Sequence, residues 1–304
     1  MKAVTILDGG MGRELERIGA PFSQPLWSAQ ALIESPHFVK QAHQAFIEAG
    51  AELITVNSYA CVPFHLGDEL YAQQGVTLAA KAAKLAHEAA TEAKHHVRVA
   101  GSLPPVFGSY RPDLFQAERA QAISRELLCA QDDYVDLWLA ETVASIAEAR
   151  MYAALFNTTD KPAYICFTLQ DEPDQPAKLR SGEPLEEAVT LLLNAGATGL
   201  FFNCSIPEVI AQAIEVVNRI TASEGRVLEI GVFANSFTPI KSGHQANEAM
   251  QTVRHFSPGE YLAFAKRWYE LGASIIGGCC GIEPRHIELL ARWKRDLIEM
   301  DALS

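Results

Sequence analysis

The chain has 304 residues, 49% of them hydrophobic and 20% charged, a balance that supports a large buried core in a globular protein. Its net charge of −12 leaves no basic stripe to neutralise phosphates, which argues against a nucleic-acid partner. No apolar run approaches the roughly 18 residues of a membrane span, and six irregularly spaced cysteines do not form a secreted disulfide framework, so a reducing cytoplasm is the expected compartment. The Met1 end leads directly into a strand-like segment without the charged and apolar regions of a signal peptide.

Short aliphatic runs alternate with longer stretches of helical period along the whole chain. The predicted strands are 3–7, 53–56, 97–101, 137–140, 163–167, 199–202, 228–233 and 274–276. The predicted helices are 37–49, 76–93, 116–131, 143–155, 184–194, 207–222, 258–271 and 284–298. Several open with proline after a polar or acidic residue, as in Ser35-Pro36, Ser257-Pro258 and Glu283-Pro284. Others close on glycine before the next strand, as in Ala49-Gly50 and Leu271-Gly272. Near-continuous apolar strands alternating with helices argue a parallel sheet, and eight such units argue a closed (β/α)8 TIM barrel. A doubly wound open sheet is the competing arrangement. No linker or composition shift divides the chain, so residues 1–304 are expected to form one domain. The longest irregular segments, 8–36, 102–115 and 235–256, follow strands, and in a barrel they would line its C-terminal face.

Polar residues appear where the apolar strands stop: Asp8-Gly9-Gly10, Asn57-Ser58-Tyr59, Ser102, Glu141-Thr142, Asn203-Cys204-Ser205, Asn235-Ser236 and Cys279-Cys280. In a barrel all of them reach one crater. Adjacent cysteines bridge each other only with strain, whereas a tetrahedral zinc accepts both if a third thiolate arrives from elsewhere. Cys204, at another strand end, supplies that third thiolate, so Cys204, Cys279 and Cys280 are read as ligands of Zn2+. A lone Cys204 would read as structural, and Cys61, Cys129 and Cys166, which lack a partner pattern, are read as inert. Asp8-Gly9-Gly10 alone reads equally as a turn. Gly9, Gly10 and Gly12 resemble a phosphate loop only weakly, because no helix opening is evident after them. Glu141 ends a very apolar segment and needs a partner, either a substrate ammonium or an internal Arg or Lys.

Zinc held by three thiolates carries a net charge of −1 and is a poor generator of hydroxide. It suits the binding of a substrate thiol as a nucleophilic thiolate. Alkyl transfer to sulfur is the chemistry this predicts.

The segments Ile6-Leu7-Asp8-Gly9-Gly10-Met11-Gly12, Gly50-Ala51-Glu52-Leu53-Ile54-Thr55-Val56-Asn57-Ser58-Tyr59, Ala140-Glu141-Thr142, Phe202-Asn203-Cys204-Ser205 and Gly277-Gly278-Cys279-Cys280-Gly281 resemble, in content and order, the homocysteine S-methyltransferase family. The resemblance covers nearly the whole chain and implies a (β/α)8 barrel that methylates homocysteine to methionine. It implies zinc on Cys204, Cys279 and Cys280, with the homocysteine sulfur as fourth ligand and Cys204, Cys279, Cys280 and Glu141 central to catalysis. It further implies that Asp8 and Glu141 hold the substrate amino group. Ser58 and neighbouring backbone amides would take the carboxylate, and Asn57 and Gly9 would complete the substrate site. Asn235 falls where some members carry an asparagine able to occupy zinc in the absence of substrate. Trp27 falls where an aromatic residue faces the methyl donor, though a core tryptophan reads equally well. Two loops depart from the family pattern. Ser102-Leu103-Pro104-Pro105-Val106-Phe107-Gly108-Ser109-Tyr110-Arg111 replaces a Gly-Pro-Tyr-Gly loop, and Phe233-Ala234-Asn235-Ser236-Phe237 replaces a Tyr-Pro-Asn-x-Gly turn. The donor therefore stays open among S-methylmethionine, S-adenosylmethionine, a betaine or another onium compound. No cobalamin or folate module is expected within the chain. The competing readings are a non-catalytic barrel that binds thiol amino acids, and a zinc hydrolase or structural zinc protein. Monomer or homodimer is the expected state.

Overall fold

The computed structural model describes residues 3–23, 25–241 and 252–302. Eight parallel strands appear where aliphatic runs are densest: β1 (Thr5–Ile6), β2 (Leu53–Thr55), β3 (Arg98–Leu103), β4 (Leu137–Val143), β5 (Ala163–Phe167), β6 (Gly199–Asn203), β7 (Glu229–Ala234) and β8 (Ile275–Gly278). They pair in the order β1-β8-β7-β6-β5-β4-β3-β2. A parallel bridge between Leu7 and Leu53 joins the two ends of that sheet. Hydrogen bonds from Glu52 N–H to the Ile6 carbonyl (2.7 Å) and from Asp8 N–H to the Leu53 carbonyl (3.0 Å) complete the join. The sheet is thus a closed barrel and not a doubly wound open one.

Each strand is buried on both faces, which is why it reads as an unbroken apolar run rather than an alternating one. Leu53, Leu139, Cys166, Phe201, Phe233 and Ile275 fill the barrel interior. The intervening Ile54, Trp138, Ile165, Phe202, Val232 and Ile276 pack outward beneath the helices. Those helices are Pro36–Glu48, Val76–Thr91, Ala117–Gln131, Ile146–Phe156, Leu185–Asn194, Pro207–Ser223, Pro258–Glu270 and Pro284–Ala302. Among the described residues none is long and apolar enough to cross a membrane.

Differences from the predicted elements lie mostly on the side where the strands end. β4 continues to Val143, which pairs with Phe167, so the helix predicted from 143 begins at Ile146 instead. Ser145 sets that start by accepting a hydrogen bond from the Glu148 N–H. The long segment after β1 contains two short helices, Met11–Arg17 and Ser28–Glu34, that the sequence reading left irregular. Met11–Arg17 opens directly after Gly10, where the sequence carries no evident helix-opening signal. It has seven residues and buries Glu14, which takes two hydrogen bonds from Arg17.

Candidate active site

β6 and β8 flank β7, so Cys204 and the Cys279-Cys280 pair leave the sheet on neighbouring parts of one rim. Cys204 turns out of β6 with a left-handed φ of 48°. Its N–H donates to the Phe233 carbonyl at 3.3 Å, while Cys279 N–H donates to the Ala234 carbonyl at 2.8 Å. These backbone bonds bring the Cys204 and Cys279 sulfurs to 2.7 Å, and Asn203 Nδ2 stands 3.5 Å from Cys204 Sγ. Contacts with the Cys204 and Cys280 sulfurs, followed by burial, push the Cys279 thiol up. Cys280 is held below the usual thiol range by its hydrogen bond with Cys279, helped by the charge of Arg13. Glycine is needed on both sides of this turn. Gly281 has a φ of 83°, and a Cβ on Gly10 would stand 2.7 Å from the Cys279 carbonyl oxygen.

Three thiols from two strand ends, with no imidazole among them, are a donor set that fits zinc. Among the described residues no group of three or more His, Cys, Asp or Glu side chains stands in a finished metal shell. The Cys204 and Cys279 sulfurs stand closer than two ligands of one zinc. Zn–S bonds of about 2.3 Å in a tetrahedron put sulfurs roughly 3.8 Å apart, so this pair would open by about 1 Å around the ion.

The same crater holds two buried carboxylates. Glu141 shares the inward phase of Leu137 and Leu139 on β4, as Ser102 shares that of Ala100 on β3, and the Ser102 hydroxyl donates to Glu141 Oε1 at 2.5 Å. Asp8 accepts from Thr55 N–H at 2.8 Å. Burial pushes Glu141 up to about 7 against that hydrogen bond. Burial also pushes Asp8 well above the usual carboxylate range, and the nearby Glu141 charge adds to the effect. A cavity of about 210 Å³ opens over these groups, and its described lining contains neither Lys nor Arg. His65, which also lines it, is lowered to about 4 by burial and stays neutral at pH 7. An acidic crater without its own cation is suited to a ligand ammonium.

Aromatic side chains form the mouth. Trp27 lines the cavity with Phe22, in edge-to-face contact at 5.7 Å, and with Tyr59, Tyr110 and Phe237. Trp27 therefore borders the crater while also packing against the hydrophobic core. Among the described residues the non-glycine positions with positive φ are Trp27, Tyr110, Thr142 and Cys204. Trp27, Tyr110 and Cys204 line the crater and Thr142 follows its Glu141, so the strained backbone of the molecule collects at this site.

The structure places Asp8, Gly9, Trp27, Asn57, Glu141, Cys204, Cys279 and Cys280 together in the crater lining. Ser58 does not join them. Its hydroxyl lies between the Ser102 carbonyl (3.0 Å) and Gln131 Oε1 (3.2 Å), and its N–H donates to the Val56 carbonyl. The Ser58 hydroxyl and N–H are thus both engaged inside the protein. Asn235 is fully buried behind the rim. Its Oδ1 accepts from Phe237 N–H at 3.2 Å, and its Nδ2 is buried without a hydrogen-bond partner among the described residues. The loop expected over 235–256 lies partly outside the described residues, since 242–251 are not among them. Cys61 and Cys166 are buried, with thiols pushed up by burial, to about 12 for Cys61, and Cys166 lies in the barrel interior where the nearby Glu141 and Cys204 charges add to the effect.

Sequence reasoning missed the support supplied by the loop after β5. Asp171 and Arg180 form a buried ion pair at 3.0 Å behind Cys204. The available signal was Thr168, the polar residue directly after β5, with Asp171 and Arg180 following it in a loop that runs to Pro184.

Comparison with known proteins agrees with this geometry. Residues 5–293 match the family profile described as homocysteine S-methyltransferase. The homocysteine S-methyltransferase of Escherichia coli K12 is 30% identical, with 94% of each chain covered. Homocysteine S-methyltransferase 1 of Arabidopsis thaliana is also 30% identical, over 94% of this chain and 92% of its own. The metallated form of the Escherichia coli homocysteine methyltransferase MmuM superposes with a TM-score of 0.77, at 28% identity over 96% of both chains. The chain belongs to the homocysteine S-methyltransferase family.

Proposed function

We propose that the protein transfers a methyl group from a small onium donor to the sulfur of L-homocysteine, giving methionine, with Zn2+ held by Cys204, Cys279 and Cys280. The observation that carries this reading is the meeting, in one crater, of three thiols and two buried carboxylates with no Lys or Arg among the described lining residues. Zinc bound there would supply a fourth coordination position for the substrate sulfur, favouring its thiolate at neutral pH while three anionic ligands keep it nucleophilic.

The chain's own residues do the rest. Asp8 and Glu141 receive the homocysteine ammonium, whose charge offsets the cost of ionising two buried acids. Thr55 and Ser102 orient those carboxylates through the hydrogen bonds they donate. Asn57, fixed by its Nδ2 bond to the Ser28 carbonyl at 3.2 Å, borders the same space. Trp27, Phe22 and Tyr110 offer ring faces and edges to a positively charged donor at the mouth. In the transfer a new S–CH3 bond forms, the donor's bond to that methyl breaks, the donor leaves with one positive charge fewer, and the thiol proton passes to solvent. We also infer that the chain acts as one cytoplasmic domain, as a monomer or homodimer.

The test incubates zinc-loaded protein and homocysteine with S-methylmethionine, S-adenosylmethionine and betaine in separate reactions, and follows methionine by mass spectrometry. Methionine formed with at least one donor, and lost when the metal is stripped, is the expected result. Zinc-loaded protein that yields no methionine with any donor, or undiminished turnover after metal removal, overturns the reading.

A further inference from the structure

We propose that Arg180, paired with Asp171, is a positioning residue for Cys204, holding the thiol-bearing turn in place and tying it to Tyr110 at the mouth of the crater. The inference rests on the zinc-dependent reading above, but its observations are separate from the ligands themselves.

Arg180 and Asp171 have side chains only 6% and 1% exposed. The guanidinium uses each of its nitrogens. Nη2 donates to Asp171 Oδ2 at 3.0 Å and to the Cys204 carbonyl at 3.2 Å. Nε donates to Thr168 Oγ1 at 3.1 Å, and Nη1 to the Ile240 carbonyl at 3.2 Å. Thr168 Oγ1 in turn donates to the Cys204 carbonyl at 3.1 Å. Asp171 completes the bracket by accepting from the N–H groups of Ile206 (3.0 Å) and Ile240 (2.8 Å). The face of the guanidinium lies 4.9 Å from the Tyr110 ring centroid.

These contacts converge on a turn with a specific need. Cys204 is a non-glycine residue with a φ of 48°, a conformation that persists only where neighbours over-determine it. Two donors on its carbonyl fix the peptide that follows, and Asp171 fixes Ile206 two residues on. The sulfur direction is thereby set from the side away from the cavity. Because the buried pair is neutral as a unit, it acts through geometry rather than by adding charge to the site. A planar fork with fixed donor directions suits four acceptors, whereas an ammonium does not. Supports of this kind around metal ligands are worth about 10- to 100-fold in metal affinity.

The test compares wild-type protein with Arg180→Lys and, as a remote control, Lys294→Met. Zinc affinity is read by chelator competition, the ligand field by the visible spectrum of the Co2+-substituted protein, and folding by circular dichroism. Arg180→Lys is expected to bind zinc about 10- to 100-fold more weakly, to shift the Co2+ bands, and to raise KM for the donor as Tyr110 loses its support. Lys294→Met should match wild type in all three. Should Arg180→Lys fail to fold, Thr168→Val decides, since it removes one bond to the Cys204 carbonyl with little change in volume; a several-fold loss of zinc affinity supports the inference. A folded Arg180→Lys, or a folded Thr168→Val standing in for it, with wild-type zinc affinity and Co2+ spectrum overturns it. Wild-type protein that neither takes up zinc nor makes methionine would instead refute the functional reading on which the inference rests.

Discussion

The two ends of the barrel treat their acids in opposite ways. At the N-terminal ends of the strands each acid has a partner. Glu52 accepts from Lys294 Nζ at 2.6 Å and from Ile6 N–H at 3.0 Å. Asp136 accepts from Val99 N–H at 2.7 Å, and Glu229 from the Tyr164 hydroxyl at 2.6 Å. At the C-terminal ends Asp8 and Glu141 are more deeply buried, and among the described residues the cavity they face is lined by no Lys or Arg. The first arrangement stabilises the fold, whereas the second leaves a charge deficit for a ligand to fill. Asp8 and Glu141 thus differ from these stapling acids, and also from Asp171, which at their own end of the barrel is paired with Arg180; their position agrees with the general placement of sites in (β/α)8 barrels.

The contrast can be broken at several points. The largest effect is expected from Cys279→Ser at the rim, which should remove zinc and lower methionine formation by about 10³-fold or more, measured by metal analysis and turnover. A Cys279→Ser protein that keeps both would end the metal reading. Next is Glu141→Gln, expected to weaken homocysteine about 100-fold, since a buried ammonium loses its charged partner. The same substitution should change stability in the opposite sense. Glu141 ionises near 4.5 when unfolded and near 7 when folded, so the folded state holds an extra proton between those values. The unliganded protein accordingly loses stability as pH rises through that window, on the order of 3 kcal/mol in total from this group. Glu141→Gln should flatten that part of the pH–stability curve, while Glu148, likewise raised to about 7, keeps its own share. Denaturant melts at pH 5 and pH 8 measure this, and an unaltered slope would contradict the burial argument.

A smaller effect is expected at the mouth. Trp27→Ala should raise the donor KM by about 10-fold through lost cation–π contact and leave homocysteine affinity within about twofold. An equal loss for both substrates would place Trp27 in the homocysteine site instead. The smallest is Lys294→Met at the opposite end of the barrel. Its pair with Glu52 is partly solvent-exposed, so a loss of about 1 kcal/mol in stability with unchanged kcat/KM is expected. A drop in kcat/KM would show that the two ends are coupled.

Much of this site was legible before any coordinates. The eight aliphatic runs located the eight strands because a strand buried on both faces must be apolar throughout. Once the strands were placed, Cys204 and Cys279-Cys280 followed as rim residues, and Glu141 as a buried acid in need of a cation. The surroundings of Ser58 were not legible, because a strand-end position does not reveal which way a short side chain points; its hydroxyl meets the Ser102 carbonyl and Gln131 within the protein. Arg180 was overlooked because its acceptors are remote in sequence, with Cys204 24 and Ile240 60 residues away.

What the sequence determined by itself is the set of elements and the chemistry of the rim, since periodicity and residue type are local properties that need no folded context. The tertiary structure alone decided that β1 closes on β2, that the Cys204 and Cys279 sulfurs meet at 2.7 Å, and that Arg180 stands behind the first of them. Those facts depend on how far each loop reaches once the barrel has closed, and closure is a long-range constraint that no local pattern encodes.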